Sequence, residues 1–117
     1  MKLNIQNTFT SELPADPIKG QQRRQVTKAC FSYVEPSPSS APQLIHVSKE
    51  MLDNLGLTVA DSRSAEFLKI FTGNAVLDNT QPYAMCYGGH QFGNWAGQLG
   101  DGRAINLFEV AHQEKHW

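Results

Sequence analysis

An excess of charge of one sign is the first thing this 117-residue sequence lacks: 10 Lys and Arg stand against 11 Asp and Glu, for a formal net charge of -1. Nucleic-acid readers draw most of their affinity from a surplus of basic residues, so the balance argues against a nucleic-acid partner. The basic run Lys19, Arg23, Arg24 and Lys28 is expected on a solvated face. Long apolar runs are missing too. None approaches the ~18 residues a membrane span requires, and Asn4, Gln6 and Asn7 fall where a secretory signal would be apolar. A cytoplasmic chain with no membrane partner is therefore expected. Cysteine is scarce. Cys30 and Cys86 lie far apart and form neither a C-x-x-C pair nor a repeated pattern, so neither a zinc site nor a disulfide framework is signalled and both are expected as buried free thiols.

Apolar residues are sufficient for a core, and capping residues divide them into elements. Pro14 and Pro17 break any early helix. Cys30 to Val34 reads as a short strand, and Glu35 to Pro42, with Pro36, Pro38 and Pro42, reads as an extended surface loop. Leu44-Ile45-His46-Val47 reads as a strand in which His46 is packed. Ser48 then caps a helix whose Met51, Leu52 and Leu55 share a face, with Gly56 as its stop. A second helix is expected from Ser62 or Ser64, carrying Phe67, Leu68 and Phe71 inward and ending at Gly73.

The most informative segment is Pro82 to Arg103, which holds six of the nine glycines together with Tyr83, Tyr87, Phe92 and Trp95. Glycine loses much backbone entropy on ordering, so a dense cluster implies flexibility or a backbone that approaches something closely. Interleaved rings that need burial argue against a flexible linker. Gly97-Gln98-Leu99-Gly100-Asp101-Gly102-Arg103 carries what a phosphate cradle needs: glycines that let successive N–H groups converge, and an arginine fork beside them. Its G-x-x-G-x-G spacing matches neither the Walker pattern nor the dinucleotide fingerprint. A tight hairpin turn at Asp101-Gly102 explains the same residues, and the two readings are compatible. Arg103 to Val110 then reads as the second strand of that hairpin, with Ile105 and Leu107 on one side and Phe108 and Val110 on the other. His112 and His116, four apart, suggest zinc, but Gln113 stands where the zinc-protease pattern wants Glu, and a hairpin turn fits better.

The run from Tyr87 to Ala104, YGGHQFGNWAGQLGDGRA, resembles the signature of the selenoprotein O family. Further similarity extends over nearly the whole chain: Phe9 with Leu13-Pro14, Phe31 to Val34, Leu55-Gly56-Leu57, Phe71 to Asn74 and Pro82-Tyr83-Ala84. The resemblance implies an α+β architecture forming the N-terminal part of a protein-kinase-like, pseudokinase fold: short helices plus an antiparallel hairpin carrying a glycine-rich loop. It implies transfer of AMP from ATP to hydroxyls of protein substrates, with the nucleotide reversed relative to ordinary kinases. The family's ATP contacts in this segment map onto Gly100, Gly102 and Arg103.

The same resemblance divides the chain into an N-terminal extension with its Pro-rich loop (1–47), short helices (48–81), and the glycine-rich loop with the first strands of the kinase-like lobe (82–117). Family members are several times longer. Their phosphate-holding lysine would fall a few residues after Trp117, Lys115 being placed in the turn before that strand. The catalytic aspartate and the Asn and Asp that bind Mg2+ or Mn2+ would lie further on. The chain is thus expected to be an N-terminal fragment, inactive alone and prone to self-association through an unpaired sheet edge. The competing expectation is a non-catalytic module that binds a ligand or protein through its glycine–aromatic surface.

Overall fold

The computed structural model describes residues 1–19, 24–100 and 102–117. Among them the helices are α1 (Thr8–Glu12), α2 (Lys49–Asn54), α3 (Val59–Ser62) and α4 (Ala65–Phe71). The strands are β1 (Ile5–Gln6), β2 (Phe31–Tyr33), β3 (Tyr83–Met85), β4 (Tyr87–Gln91), β5 (Asn94–Leu99), β6 (Ile105–Asn106), β7 (Glu109–His112) and β8 (Lys115–His116). Every strand pairing is antiparallel, so the chain is α+β, as expected. Its residues gather into two units, one of Met1–Asn7, Pro36–Thr80 and Leu107–Trp117, the other of Thr8–Glu35 and Gln81–Asn106.

In the first unit, local capping sets the helices. Ser48 accepts a hydrogen bond from the Met51 N–H and starts α2, and Ser64 accepts one from the Phe67 N–H and starts α4. Gly56 and Gly73 follow these helices in the left-handed region expected of them. Between the two lies α3, which the spacing of apolar residues does not announce. Its signal is the capping box Thr58-x-x-Asp61: the Thr58 hydroxyl accepts from the Asp61 N–H at 3.1 Å while the Asp61 carboxylate accepts from the Thr58 N–H at 2.9 Å. Leu52, Leu57 and Phe67 form the core of this unit, with Leu3, Val47, Leu55 and Phe71 packed against it. Phe71 stacks on Phe67 at 4.3 Å and meets Phe108 edge-on at 5.7 Å. β7 pairs with β1 on one side and β8 on the other, and Gln113 and Glu114, both at positive φ, make the two-residue turn between β7 and β8. The hairpin expected around His112 and His116 is present, but Lys115 lies in β8 rather than in the turn.

The strand expected at Leu44 to Val47 does not form. Ile45 is 97% exposed, His46 is exposed rather than packed, and among the described residues no strand offers the segment a ladder. Four apolar residues in a row satisfy strand composition, but backbone groups need a pairing edge before that composition has effect.

The second unit is built on the sheet β2-β3-β6, with Phe31 opposite Met85, Tyr33 opposite Tyr83, and Ala84 opposite Ile105. Phe31 is fully buried, and Phe9 from α1 packs on Tyr83 at 5.1 Å and on Phe31 at 5.6 Å. Pro14 does not prevent α1; the helix ends two residues before it. Pro14 to Asp16 then run alongside β2, the Cys30 N–H donating to the Pro14 carbonyl and the Asp16 N–H to the Phe31 carbonyl. Lys19 and Lys28 are exposed as expected of the basic run, but Arg24 is not simply solvated: it pairs with the buried Asp16 carboxylate, which also accepts from the Ser32 hydroxyl at 3.2 Å and the Ile18 N–H at 3.1 Å. Arg23 lies outside the described residues.

Candidate functional site

The glycine-rich segment begins in β3 and continues through the hairpin of β4 and β5. Phe92 and Gly93, at φ 50° and 82°, form the two-residue turn of that hairpin. Both central residues of such a turn need positive φ, which glycine adopts without strain and Phe does not. The turn of this hairpin therefore falls at Phe92-Gly93; the turn expected at Asp101-Gly102 includes Asp101, which lies outside the described residues. The pairing of β4 with β5 shifts register between Gly88 and His90, so that Ala96 and Gly97 together oppose Gly89 as a bulge.

Gly97, Gln98 and Leu99, expected in a loop, lie in β5. Gln98 ties that strand to the sheet region: its carbonyl accepts from the Val26 N–H at 2.9 Å and its side-chain amide donates to the Ala29 carbonyl at 2.8 Å. Arg103 to Val110 is likewise not one strand. Ile105–Asn106 pairs with β3 as β6, and Glu109–Val110 belongs to β7 and pairs with β1. A continuous apolar alternation is here divided between two sheets.

Gly100 and Gly102 are half-buried and need glycine because of close approach. A Cβ on Gly100 would stand 2.5 Å from Val26 Cγ2 and 2.9 Å from Ser32 Oγ; one on Gly102 would stand 2.5 Å from the Met85 carbonyl oxygen. The space where each side chain would go is filled by the protein's own atoms. Ser32 in turn donates to the buried Asp16 carboxylate, which pairs with Arg24, so an ion pair with one buried partner lies behind the glycine segment. Sequence reasoning missed these supporting residues. Their only signal is a serine inside the apolar β2, since a buried hydroxyl requires a partner.

Arg103 is exposed, and among the described residues its guanidinium makes no hydrogen bond or ion pair. Five donors in a planar fork thus stand free, immediately after two glycines whose backbone is fixed from behind. The aromatic residues are less buried than expected. Tyr83 belongs to the core, but Tyr87, Phe92 and Trp95 are exposed, Trp95 lying over Gly88 and against His90 at 5.3 Å between ring centres. Among the described residues β4 and β5 form a two-stranded sheet that is joined at Leu99 only by a bridge to Gln25, and a hairpin so little covered leaves its rings open to solvent. Among the described residues no group of three or more His, Cys, Asp or Glu is placed to hold a metal ion, and no helix is long and apolar enough to cross a membrane.

Comparison with known proteins places this segment in a family. The family model described as protein adenylyltransferase SelO matches residues 20–117. A protein nucleotidyltransferase YdiU from Flavobacterium johnsoniae is 58% identical over 108 residues, covering 92% of this chain and 21% of the relative. Those of Rhodopirellula baltica and Azoarcus sp. are 54% identical over 116 residues and 56% over 108, covering 98% and 92% of this chain and 22% and 21% of the relatives. The chain thus spans 21–22% of the length of the curated relatives it matches. With a match running through β2, the paired hairpin and the glycine segment that ends at Arg103, the chain belongs to the protein adenylyltransferase SelO family.

Proposed function

We propose that the chain is the phosphate-binding part of a protein adenylyltransferase, forming the first strands and glycine-rich loop of a kinase-like lobe. The parent enzyme transfers AMP from ATP to a hydroxyl of a protein side chain. In that reaction the hydroxyl oxygen attacks the α-phosphorus, pyrophosphate departs, and the hydroxyl proton passes to a base. This chain's share is binding and orientation. The observation that carries the reading is the free guanidinium of Arg103 next to Gly100 and Gly102. A fork of donors beside a backbone braced by Val26, Ser32 and Met85 suits a polyphosphate, because anchored donors lose little freedom when the anion arrives. Mg2+ or Mn2+ would supply neutralisation of phosphate charge, with its ligands and the catalytic base in the remaining length found in the relatives.

The test is ATP affinity of the full-length parent. Arg103→Ala should weaken it by about ten- to a hundredfold, the worth of a charge-assisted hydrogen bond, and leave the melting temperature unchanged because Arg103 supports nothing else. Arg103→Lys should recover only part, since a point charge does not reproduce the fork. Unchanged ATP affinity in Arg103→Ala removes the reading. The exposure of Tyr87, Phe92 and Trp95 favours a second reading, a non-catalytic module binding a protein or ligand on this face. That reading predicts full ATP-independent binding in Arg103→Ala and its loss in Trp95→Ala.

A further inference from the structure

Cys30 and Cys86, 56 positions apart in the sequence, face each other across the sheet. Phe31 opposes Met85 and Ser32 opposes Ala84 in the β2–β3 ladder. The ladder continues one residue beyond the strands, for the Cys86 N–H donates to the Cys30 carbonyl at 2.8 Å. Residues opposite each other in such a bonded position have Cα atoms about 5.5 Å apart, inside the roughly 4.4–6.8 Å that a disulfide spans. Both are free thiols and both are half-buried, so a small reagent has access. Burial first, and then the neighbouring Cys30, pushes the pKa of the Cys86 thiol up, partly offset by Gln98, Arg24 and Ser32.

We propose that Cys30 and Cys86 form a dithiol site that reacts with a small-molecule disulfide of the glutathione type and closes into a reversible cross-strand bond. The Cys30 thiolate attacks one sulfur of the oxidant, forming a mixed disulfide and releasing one thiol. Cys86, kept protonated by its surroundings, acts second. Its thiolate attacks the Cys30 sulfur, the cross-strand bond forms, and a second thiol leaves. The oxidant is reduced to two thiols as the protein loses two electrons and two protons. The second step is intramolecular, so a small thiolate fraction is enough. In the bonded register, opposite Cβ atoms sit at about 4.5–5.5 Å, beyond the roughly 3.5–4.5 Å of a relaxed disulfide, so the two strands must draw together to close the bond and the bond is easy to reduce again. The bond would tie β2 to the residue directly before β4, at the base of the hairpin that leads to Gly100.

The experiment equilibrates the folded full-length protein in buffers of graded glutathione disulfide to glutathione, quenches in acid, alkylates the remaining thiols, digests with trypsin and maps the peptides. The expected product under oxidising buffer is Ala29–Lys49 linked to Ile70–Arg103, returning to two alkylated peptides on addition of dithiothreitol. In Cys86→Ser the linked peptide should vanish and a glutathione adduct on Cys30 should accumulate. Cys30→Ser should abolish the link and leave Cys86 modified at least tenfold more slowly than Cys30 is in Cys86→Ser. Two independent glutathione adducts in the unaltered protein, two unmodified thiols, or a link from either residue to a different cysteine would each overturn the proposal.

Discussion

Gly102 lies against the backbone of Met85, so that a Cβ added to it would stand 2.5 Å from the Met85 carbonyl oxygen. A carbonyl fixed in a sheet cannot turn aside as a side chain can. At Gly100 the obstacles are Val26 and Ser32 side chains, and Ser32 is itself held by Asp16. The glycines next to Arg103 therefore serve the fold whatever they do for a ligand, and replacing them damages both together. Arg103 alone reports on the ligand.

Gly102→Ala should accordingly destabilise the protein, by about 1–3 kcal/mol as expected of overpacking against an immobile group. Gly89→Ala is the control, because a Cβ there meets nothing within 4 Å. It should be neutral or slightly stabilising through the unfolded chain. Urea denaturation of the two variants checks this, and equal midpoints would contradict the packing at Met85.

Arg24→Ala should leave the Asp16 carboxylate buried without its counter-charge. Removal of one partner of a buried pair costs about 3 kcal/mol, and Arg24 keeps some contact with solvent, so that figure is an upper value here. Asp16→Asn combined with Arg24→Met should recover a good part of the loss, since neither then buries an unpaired charge. A double variant no more stable than Arg24→Ala would show that shape rather than charge governs this place.

The helices were legible because their signals are local: Ser48, Ser64, Gly56 and Gly73 each act within one turn of the residue they cap. The Thr58-x-x-Asp61 box is equally local, but the α3 it starts is too short to show an apolar period. Strand assignments failed where the deciding factor was a distant partner. Leu44 to Val47 has the composition of a strand but, among the described residues, no edge to pair with, and Arg103 to Val110 is divided because β3 claims Ile105 while β1 claims Val110. The β4–β5 turn carries little signal in the sequence, because Phe-Gly is a weaker turn pair than Asn-Gly or Asp-Gly. Of the site, Gly100, Gly102 and Arg103 were singled out from spacing and resemblance, whereas the Asp16–Arg24–Ser32 support behind them and the pairing of Cys30 with Cys86 depend on contacts no local pattern encodes.

The Asp61 carboxyl is held below the usual carboxylate range, first by the Thr58 hydroxyl and then by the Thr58 N–H. A pKa lowered on folding contributes stability at neutral pH that is present above the unfolded value and lost as the pH falls through the folded one. Acidification from about pH 4 downward should therefore weaken the start of α3, and Asp61→Asn should flatten that part of the acid limb of the melting curve. Thr58→Ala should cost about 1 kcal/mol at pH 7, a typical cap. An acid limb unaltered by Asp61→Asn would show that the box does not report on folding.

The 117-residue chain by itself should transfer no AMP. On the proposed reading it supplies backbone and Arg103 for phosphate binding, while the base that accepts the hydroxyl proton and the carboxylates that hold Mg2+ or Mn2+ belong to other parts of a longer enzyme; positioning without these groups leaves the barrier for attack at phosphorus nearly intact. Incubated with labelled ATP, either metal and candidate protein acceptors, the chain should leave no label on itself or on them. β6 is an outer strand of its sheet, and Trp95 and Phe92 are exposed, so the isolated chain should also associate with itself at high concentration. Sedimentation then gives an independent reading of the same division. A monomer without activity is compatible with a binding module, an associating and inactive chain with a piece of an enzyme, and stoichiometric labelling by the chain alone would overturn the assignment of the catalytic groups to another part of the protein.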